Sequence, residues 1–229
     1  MDARRERSYD FAREWYCRAP NLHHQDRVTG IAMKPPSAGR ERILREAIRL
    51  FAERGYDRTS VPEIQEAAGL SRGSGALYKH FPSKEALLAA AIDRFVGTAR
   101  EGRAELGEQV LPVDQGARRI VESMLEQLGA NRDVLRILWR DLEPFPELKA
   151  SARGEIMQST YHAVAEWLRE RQRQGELRPH DSDAVSAVIV GSVAMFRVFE
   201  AIWAERSIEV SDERFASAWT DLLVRGLRP

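Results

Sequence analysis

One stretch of the chain, GLSRGSGALYKHF from Gly69 to Phe81, combines residue types that could carry chemistry. Its first five residues fit the G-x-S-x-G pattern of a serine-hydrolase nucleophile elbow, and its glycines and serines are also typical of a loop that holds a nucleotide phosphate. Basic side chains follow directly, which indicates a third possibility, contact with the phosphates of DNA. The elements around the stretch decide among the three.

The first two possibilities need elements that the sequence does not predict. An elbow requires a strand before its serine, and a Walker phosphate loop requires a lysine followed by Ser or Thr after its last glycine. The segment before Ser71, VPEIQEAAG, has a helical pattern, and no such lysine follows. We therefore expect that the protein is not an enzyme, and the alternative is a small all-helical enzyme or carrier that uses Ser71 or a histidine.

Helical signals precede the stretch. Apolar residues recur at helical spacing from Arg40 onwards and predict a first helix of about four turns. Ser60 and Glu63 form a capping box that predicts the start of a second helix, and Gly69 suits the left-handed conformation of its C-terminal cap.

Two more helices are expected to follow. Ser71 is the predicted N-cap of a third helix, and Ser83 is the predicted N-cap of a fourth. The spacing of Leu77 and Phe81 indicates that both belong to the core of a three-helix unit.

Positive charge is concentrated in this region. The whole chain has 35 basic and 35 acidic residues and a formal charge of zero, so its overall charge does not indicate nucleic-acid binding. From Ser71 to Lys84, however, there are three cations and a histidine and no acidic residue. A local excess of this kind favours a surface that neutralises phosphates.

Residues Arg42 to Leu87 resemble the DNA-binding region of the TetR family of transcriptional regulators. The resemblance lies in the order and spacing of RIL, A, LF, GY, TSV, I, AAGLS, G and LYKHFPSKEAL along this stretch. One departure is visible: the family's commoner form runs Ser-x-Gly-x-Leu-Tyr, whereas the segment Ser71–Tyr78 is two residues longer. The excess falls at Ser74 and Gly75.

The resemblance implies a set of DNA contacts. It places the hydroxyls of Thr59 and Ser71, together with Tyr78, His80 and Lys84, against phosphates. We expect base edges or the nearby backbone to be contacted by Arg72, Ser74 and Lys79, since side chains of these types can read the major groove.

The rest of the chain is predicted to be helical, near 114–129, 131–142, 147–174, 182–205 and 211–227. The expected fold class is all-α with about nine helices. Residues 39–84 form the helix-turn-helix DNA-binding domain, and residues 85–229 form a helical domain for effector binding and dimerisation. Residues 1–38 are expected to be a poorly ordered extension, with Met33 as an alternative start and a DNA-contacting basic arm as the alternative role.

A second copy of the chain is an expected partner. A single helix-turn-helix unit contacts too few bases to select one site, and a two-fold dimer doubles those contacts. The helix at 182–205 is apolar nearly all round, and the resemblance implies that it pairs, with the last helix, in a four-helix bundle; the alternative is a monomer that buries it. The candidate interface residues are Val188, Val193, Phe196, Phe199, Trp219 and Leu222.

The middle helices are the expected sensor. Aromatic and sulfur-containing side chains line many ligand pockets, and here the candidates are Trp139, Phe145, Met157, Tyr161 and Trp167. We expect a small-molecule effector that weakens DNA binding; the alternative is a purely dimerising domain without an effector. The sequence shows no cluster of ligating residues, so neither a metal nor a cofactor is expected.

The sequence also predicts a cytoplasmic location. Cys17 is the only cysteine, which excludes an intrachain disulfide. The N-terminal residues lack an apolar segment, and the longest apolar run, Ala184 to Phe196, is short for a membrane span. We expect a soluble protein whose partners are double-stranded DNA, an effector and a second copy, without a membrane.

Overall fold

The computed structural model of the 229-residue chain describes residues 37–73, 75–108, 111–206 and 208–229. Every regular element in these ranges is helical, which confirms the predicted all-α class. The α-helices are α1 (Ala38–Arg54), α2 (Val61–Ala67), α3 (Lys84–Glu108), α4 (Val113–Ala130), α5 (Arg132–Asp141), α6 (Pro146–Ala152), α7 (Ser159–Arg173), α8 (Ser182–Trp203) and α9 (Asp212–Leu227).

The described residues form two compact units. Unit 1 contains residues 37–47 and 60–89, and unit 2 contains Ile48–Thr59 and Ala90–Pro229. The chain passes from one unit to the other within α1, between Thr59 and Ser60, and again within α3. The domain boundaries proposed from the sequence stay predictions, and the extension at 1–36, with Met33 and the basic arm, lies outside the described residues.

Unit 1 contains the local signals that the sequence predicts for α2. Oγ of Ser60 accepts a hydrogen bond from the Glu63 N–H at 3.4 Å, and a carboxylate oxygen of Glu63 accepts one from the Ser60 N–H at 2.7 Å. At the other end, Gly69 has φ +68°. The N–H of Leu70 donates to the Gln65 carbonyl at 2.8 Å, which completes a Schellman cap. The predicted bounds of this helix are confirmed.

The start of α3 is also capped as predicted. Oγ of Ser83 accepts a hydrogen bond from the Ala86 N–H at 3.0 Å. Leu77 and Phe81 are completely buried, as expected for core residues. The guanidinium of Arg40 lies over the Phe81 ring, 4.7 Å from its centre, so the start of α1 covers this part of the core.

Unit 2 is a bundle in which α8 packs against α4, α5 and α7, and α9 packs against α4. Four of the five helices predicted in this unit are confirmed, with ends that differ by at most two residues from the predicted ones. Their buried faces form the core, in which Ile120, Val121 and Leu125 of α4 meet Ile189 and Val193 of α8.

The predicted helix 147–174 is interrupted. Between α6 and α7, residues Arg153–Gln158 form a π-helical segment. The N–H of Ser159 donates to the Gly154 carbonyl, five residues back, and the hydroxyl of Thr160 donates to the Ile156 carbonyl at 2.5 Å. The Thr160 hydroxyl thus supplies a hydrogen bond to a backbone carbonyl in the region where the α-helical hydrogen-bond pattern is lost.

Helix α8 corrects one prediction. Of the helices that the structure describes, α8 alone is long and apolar enough to cross a membrane by length and composition. The shortness of the run from Ala184 to Phe196 therefore does not exclude a span. In the structure α8 packs against three other helices, and its Arg197 is buried and paired with Glu200 and Asp212. These are features of a core helix in a bundle.

Candidate DNA interface and effector cavity

The third helix predicted from Ser71 does not form as an α-helix. After the Gly69 cap, residues 72–73 and 75–76 are in turns, and the helical element that follows before α3 in the described residues is a single 3₁₀ turn, Leu77–Lys79, preceded by Ala76. Ser71 is exposed and is not an N-cap. The predicted third helix is therefore present only as this 3₁₀ turn, and the prediction that Ser71 caps it is wrong.

Glycine explains the difference. Gly73 has φ +71°, a left-handed conformation that cannot continue a right-handed helix. Its N–H donates to the side-chain oxygen of Gln65 at 2.9 Å, so the turn is fixed against α2. Gly75 adds a second residue of low helix propensity. Of the two-residue excess, Gly75 lies in a turn, and Ser74 is outside the described residues.

The 3₁₀ turn presents three side chains to solvent. Tyr78 is 55% exposed, and Lys79 and His80 are also exposed, between the buried Leu77 and Phe81. Two anchored apolar residues therefore hold a short segment with a phenol, an ammonium and an imidazole on its outer side. These groups can donate hydrogen bonds to phosphate oxygens.

Arg72 and Lys84 flank this surface. Arg72 is exposed, and its guanidinium lies 3.6 Å from a carboxylate oxygen of Glu66, an exposed pair that contributes little to stability. Lys84 is half-buried at the first position of α3. We name the set formed by Arg72, Tyr78, Lys79, His80 and Lys84 the cationic surface.

Thr59 corrects the predicted contact set. Its side chain is 1% exposed, and its hydroxyl lies 2.8 Å from the carbonyl of Gly55 and 3.2 Å from that of Leu50. These carbonyls belong to the end of α1, where helix partners are missing. The hydroxyl therefore caps α1 in the interior and is not available to a phosphate.

Unit 2 contains a cavity of about 90 Å³ among α3, α4, the π-helical segment, α7 and α8. Its walls are mostly apolar and include Phe95, Met124, Leu128, Ile156, Met157, Tyr161, Val190 and Ala194. A smaller cavity of about 30 Å³ shares four of its lining residues and adds polar ones, Arg103 and Ser123. The shared residues are Ala99, Met124, Gln127 and Thr160. We name the two together the effector cavity; it has an apolar end and a polar end.

Arg103 dominates the polar end. Nη1 of Arg103 lies 3.4 Å from the hydroxyl oxygen of Thr160. Burial lowers the pKa of the Arg103 guanidinium from its usual value, Glu155 raises it, and Arg100 lowers it. Since a guanidinium keeps its proton at neutral pH, the polar end contains a partly desolvated positive charge.

The structure places two of the five predicted effector residues, Met157 and Tyr161, in the cavity wall. The other three lie elsewhere. Trp139 is 65% exposed on α5, Phe145 packs edge-on against Tyr56 with ring centres 5.0 Å apart, and Trp167 packs against Gly116. An aromatic side chain alone was therefore a weak signal for the cavity.

The polar residues of the cavity were not among the effector residues predicted from the sequence. Arg103 follows Ala99, Gln127 follows Ser123, and Thr160 follows Ile156, each by four residues, so each pair shares one helix face. The pattern that could have identified them is a polar residue on the helix face that otherwise points into the apolar core. Ser123, for example, is buried on α4 in line with apolar neighbours.

Helices α8 and α9 share an apolar outer face. Val188 and Leu222 are 71% and 75% exposed, and both line a groove of about 400 Å³ between the two helices. Trp219 lies in the same groove and donates from Nε1 to the Ser192 hydroxyl at 2.9 Å. Apolar exposure of this extent typically marks a protein interface.

Three other candidate interface residues are distributed differently. Phe199 is partly exposed and stacks on Trp203, and Phe196 stacks on Phe215 within the chain. Val193 is completely buried against α4 and α9. The prediction that Val193 contacts a second copy is therefore wrong, because its own chain already covers it.

The capped α2, the glycine turn that follows it and the 3₁₀ element Leu77–Lys79 are together the elements of a helix-turn-helix unit. Residues 43–91 match the family model for bacterial regulatory proteins of the tetR family. Two curated relatives are the regulator UidR of Escherichia coli, 31% identical over 65% of this chain and 74% of UidR, and YerO of Bacillus subtilis. YerO is 32% identical over 43% of this chain, but the match spans only 34% of YerO.

A solved structure agrees with this assignment. A transcriptional regulator from Saccharomonospora viridis, in complex with choline, superposes with a TM-score of 0.68 and 25% identity, covering 85% of this chain and all of that one. The chain belongs to the TetR family, whose members are DNA-binding transcriptional regulators.

Proposed function

We propose that this TetR-family regulator is a cytoplasmic repressor that binds a palindromic operator as a homodimer and is released by a small-molecule effector. The observation that carries the proposal is the cationic surface, which the buried Leu77 and Phe81 hold in place. The family resemblance supports repression.

On DNA, the cationic surface supplies most of the affinity by neutralising phosphates. Tyr78, His80 and Lys84 position the duplex in this proposal. Arg72 and Lys79, together with Ser74, contact base edges or the adjacent backbone. Arg72 must break its ion pair with Glu66 to do so, and this costs little free energy because the pair is exposed.

Dimerisation uses the apolar face of α8 and α9. Val188, Phe199 and Leu222 would be covered by the same face of a second copy, as a two-fold interface requires. The dimer then presents two cationic surfaces to two half-sites.

The effector binds in the effector cavity in this proposal. An effector that fits only one arrangement of the helices around it shifts the protein towards that arrangement. If that arrangement matches the half-site spacing poorly, effector and operator weaken each other's binding reciprocally.

The direct test is a fluorescence-anisotropy titration with DNA from the regions that flank the chain's own gene, repeated at several salt concentrations. Lys79→Ala should weaken binding, and where Lys79 contacts the backbone it should reduce the salt slope by about one for each of the two copies in the dimer. Tyr78→Phe should also weaken binding, since the phenol loses its donor. Arg225→Ala is the matched control, because it removes an exposed cation of α9 that pairs with Asp221.

The proposal fails if no flanking DNA binds selectively, or if Lys79→Ala and Tyr78→Phe give the titration curve of the unaltered protein. Ser71 has no catalytic role in the proposal. Its labelling by a serine-reactive phosphonate, together with ester hydrolysis that Ser71→Ala abolishes, would favour the enzyme alternative.

A further inference from the structure

Within the ranges that the structure describes, Arg103 is the charged side chain that lines the effector cavity. Two arginines of α3, Arg100 and Arg103, stand one turn apart, and Glu155 of the π-helical segment is the carboxylate near both. Nη2 of Arg100 lies 2.9 Å from that carboxylate. Among the described residues, the hydroxyl of Thr160 is the only hydrogen-bond partner of Arg103.

Neutral hydrogen-bonding groups surround the same end. Nε2 of Gln127 donates to the hydroxyl of Ser123 at 2.9 Å. Gln127 is packed so closely on Gly102 that a Cβ at residue 102 would lie 1.6 Å from Nε2. The absence of a side chain at Gly102 therefore lets the amide reach the cavity wall beside Arg103.

The opposite end is mostly apolar, with the side chains of Gln127, Thr160 and Tyr161 as the polar members of its lining. Phe95, Leu128 and Val190 are among its walls, and a polar group there would lose its water without gaining a hydrogen bond. Met157 is half-exposed at this end, and its flexible side chain can adjust to an occupant.

We infer that the effector is a small amphipathic carboxylate, with its oxygens on Arg103 and its hydrocarbon chain among the apolar walls. This inference rests on the proposed function and names its ligand class. An entering carboxylate gives Arg103 an ion pair and accepts a hydrogen bond from Thr160 or from the Gln127 amide. The guanidinium, already partly desolvated, regains the interaction that burial removed.

The volume limits the chain length. The apolar end, at about 90 Å³, is smaller than the roughly 150 Å³ cavity that holds benzene. A short aliphatic chain fits this space. The polar end adjoins a surface groove of about 360 Å³ that also contains Ser123 and Gln127. Glu101 and Glu126 line that groove together with Arg119, so the carboxylate is expected to stay at Arg103 and not to extend into the groove.

The test measures binding of hexanoate to the full-length protein by isothermal titration calorimetry, with hexan-1-ol and hexylammonium as matched probes. Hexanoate should bind, and the two other probes should bind at least about tenfold more weakly, because they lack the ion pair. Arg103→Gln should lower the affinity for hexanoate by at least about tenfold, and Arg103→Lys should retain part of that affinity.

A second variant tests the apolar end. Ala194→Leu places a larger side chain in the cavity wall. It should lower the affinity for hexanoate more than the affinity for butanoate, and it should leave the Arg103 contact unchanged. The inference is overturned if hexanoate does not bind, if hexan-1-ol binds equally well, or if Arg103→Gln leaves hexanoate affinity unchanged in a folded protein.

The operator titration separates this inference from the proposed function. Selective operator binding without hexanoate binding overturns the ligand class and leaves the regulator intact. Hexanoate binding without any selective DNA binding overturns the proposed function and leaves the carboxylate site. Hexanoate that binds and weakens operator affinity in the unaltered protein, but not in Arg103→Gln, supports both.

Discussion

Arg140 of α5 donates a hydrogen bond from its guanidinium to the carbonyl oxygen of Phe51, in the last turn of α1. The same guanidinium donates to the Ala52 carbonyl at 3.2 Å, and the carboxylate of Asp141 accepts from the Tyr56 N–H at 3.1 Å. The Phe51 carbonyl also accepts from the Gly55 N–H at 2.9 Å, so the guanidinium adds a second donor at the C-terminal end of the helix. The end of α5 therefore holds the end of α1, the helix whose first turns belong to unit 1.

Replacing Arg140 tests this cap. Arg140→Ala should lower the free energy of unfolding by roughly 1–3 kcal/mol, because the carbonyls of Phe51 and Ala52 lose a charged donor. Arg118→Ala is the matched control. Its exposed pair with Glu122 should contribute below about 0.5 kcal/mol. Urea unfolding followed by circular dichroism measures both, and equal losses would show that the Arg140 cap contributes no more than a surface pair.

Thr59 should affect stability rather than DNA affinity. Thr59→Val preserves the shape but leaves a buried carbonyl of Gly55 without its donor, at a cost of roughly 1–3 kcal/mol. Thr59→Ser keeps the hydroxyl and should cost less. Anisotropy titration of folded Thr59→Val should give the operator affinity of the unaltered protein, and a weakened affinity at unchanged salt slope would argue against a purely internal role.

Two glycines of the turn should respond in opposite directions. A Cβ would meet no heavy atom within 4 Å at either Gly73 or Gly75, so only backbone conformation separates them. Gly73→Ala should destabilise by roughly 1–2 kcal/mol, because φ is +71° there. Gly75→Ala should stabilise by about 0.4–1 kcal/mol, since its φ is not positive. Thermal unfolding decides, and a loss at both positions would refute the assigned turn.

The fold was largely predictable because its signals are local. The capping box at Ser60 and Glu63, the left-handed Gly69 and the cap at Ser83 each depend on a few adjacent residues, and each is present as predicted. The third helix was not predictable from the same signals. Serine is a favourable N-cap residue, but Gly73, two residues after Ser71, adopts a left-handed conformation. The neighbouring residues, which resemble the family pattern, gave no indication of that conformation.

The candidate sites were less predictable because they depend on tertiary packing. Helical spacing indicated that Val188 and Val193 are both apolar positions of α8, yet only the packing of α4 and α9 shows that one is covered and the other exposed. Arg103 and Gln127 lie on different helices, and nothing in either local sequence shows that they meet the same cavity.

The exposed face of α8 and α9 should control oligomeric state. Leu222→Lys should shift the protein from dimer to monomer in sedimentation velocity, because a charge would be buried in the interface. Its fold should persist, since Leu222 is 75% exposed within the chain. Val193→Ala is the contrasting variant and should lower the free energy of unfolding by about 1–3 kcal/mol through a cavity, with the dimer retained in the folded fraction. A dimer that Leu222→Lys leaves intact would place the interface elsewhere.

The π-helical segment has a consequence for the evolution of the cavity. A π turn accommodates one residue more than the α turn it replaces, so Arg153–Gln158 is equivalent to a one-residue insertion in an otherwise α-helical rod. Deleting Gly154 would restore an uninterrupted α-helix, in which Ile156 and Tyr161, five residues apart, would lie about 140° apart around the helix axis. Ile156 and Tyr161 would then no longer face the same cavity. The size of the cavity therefore depends on the number of residues in this segment and not only on their types.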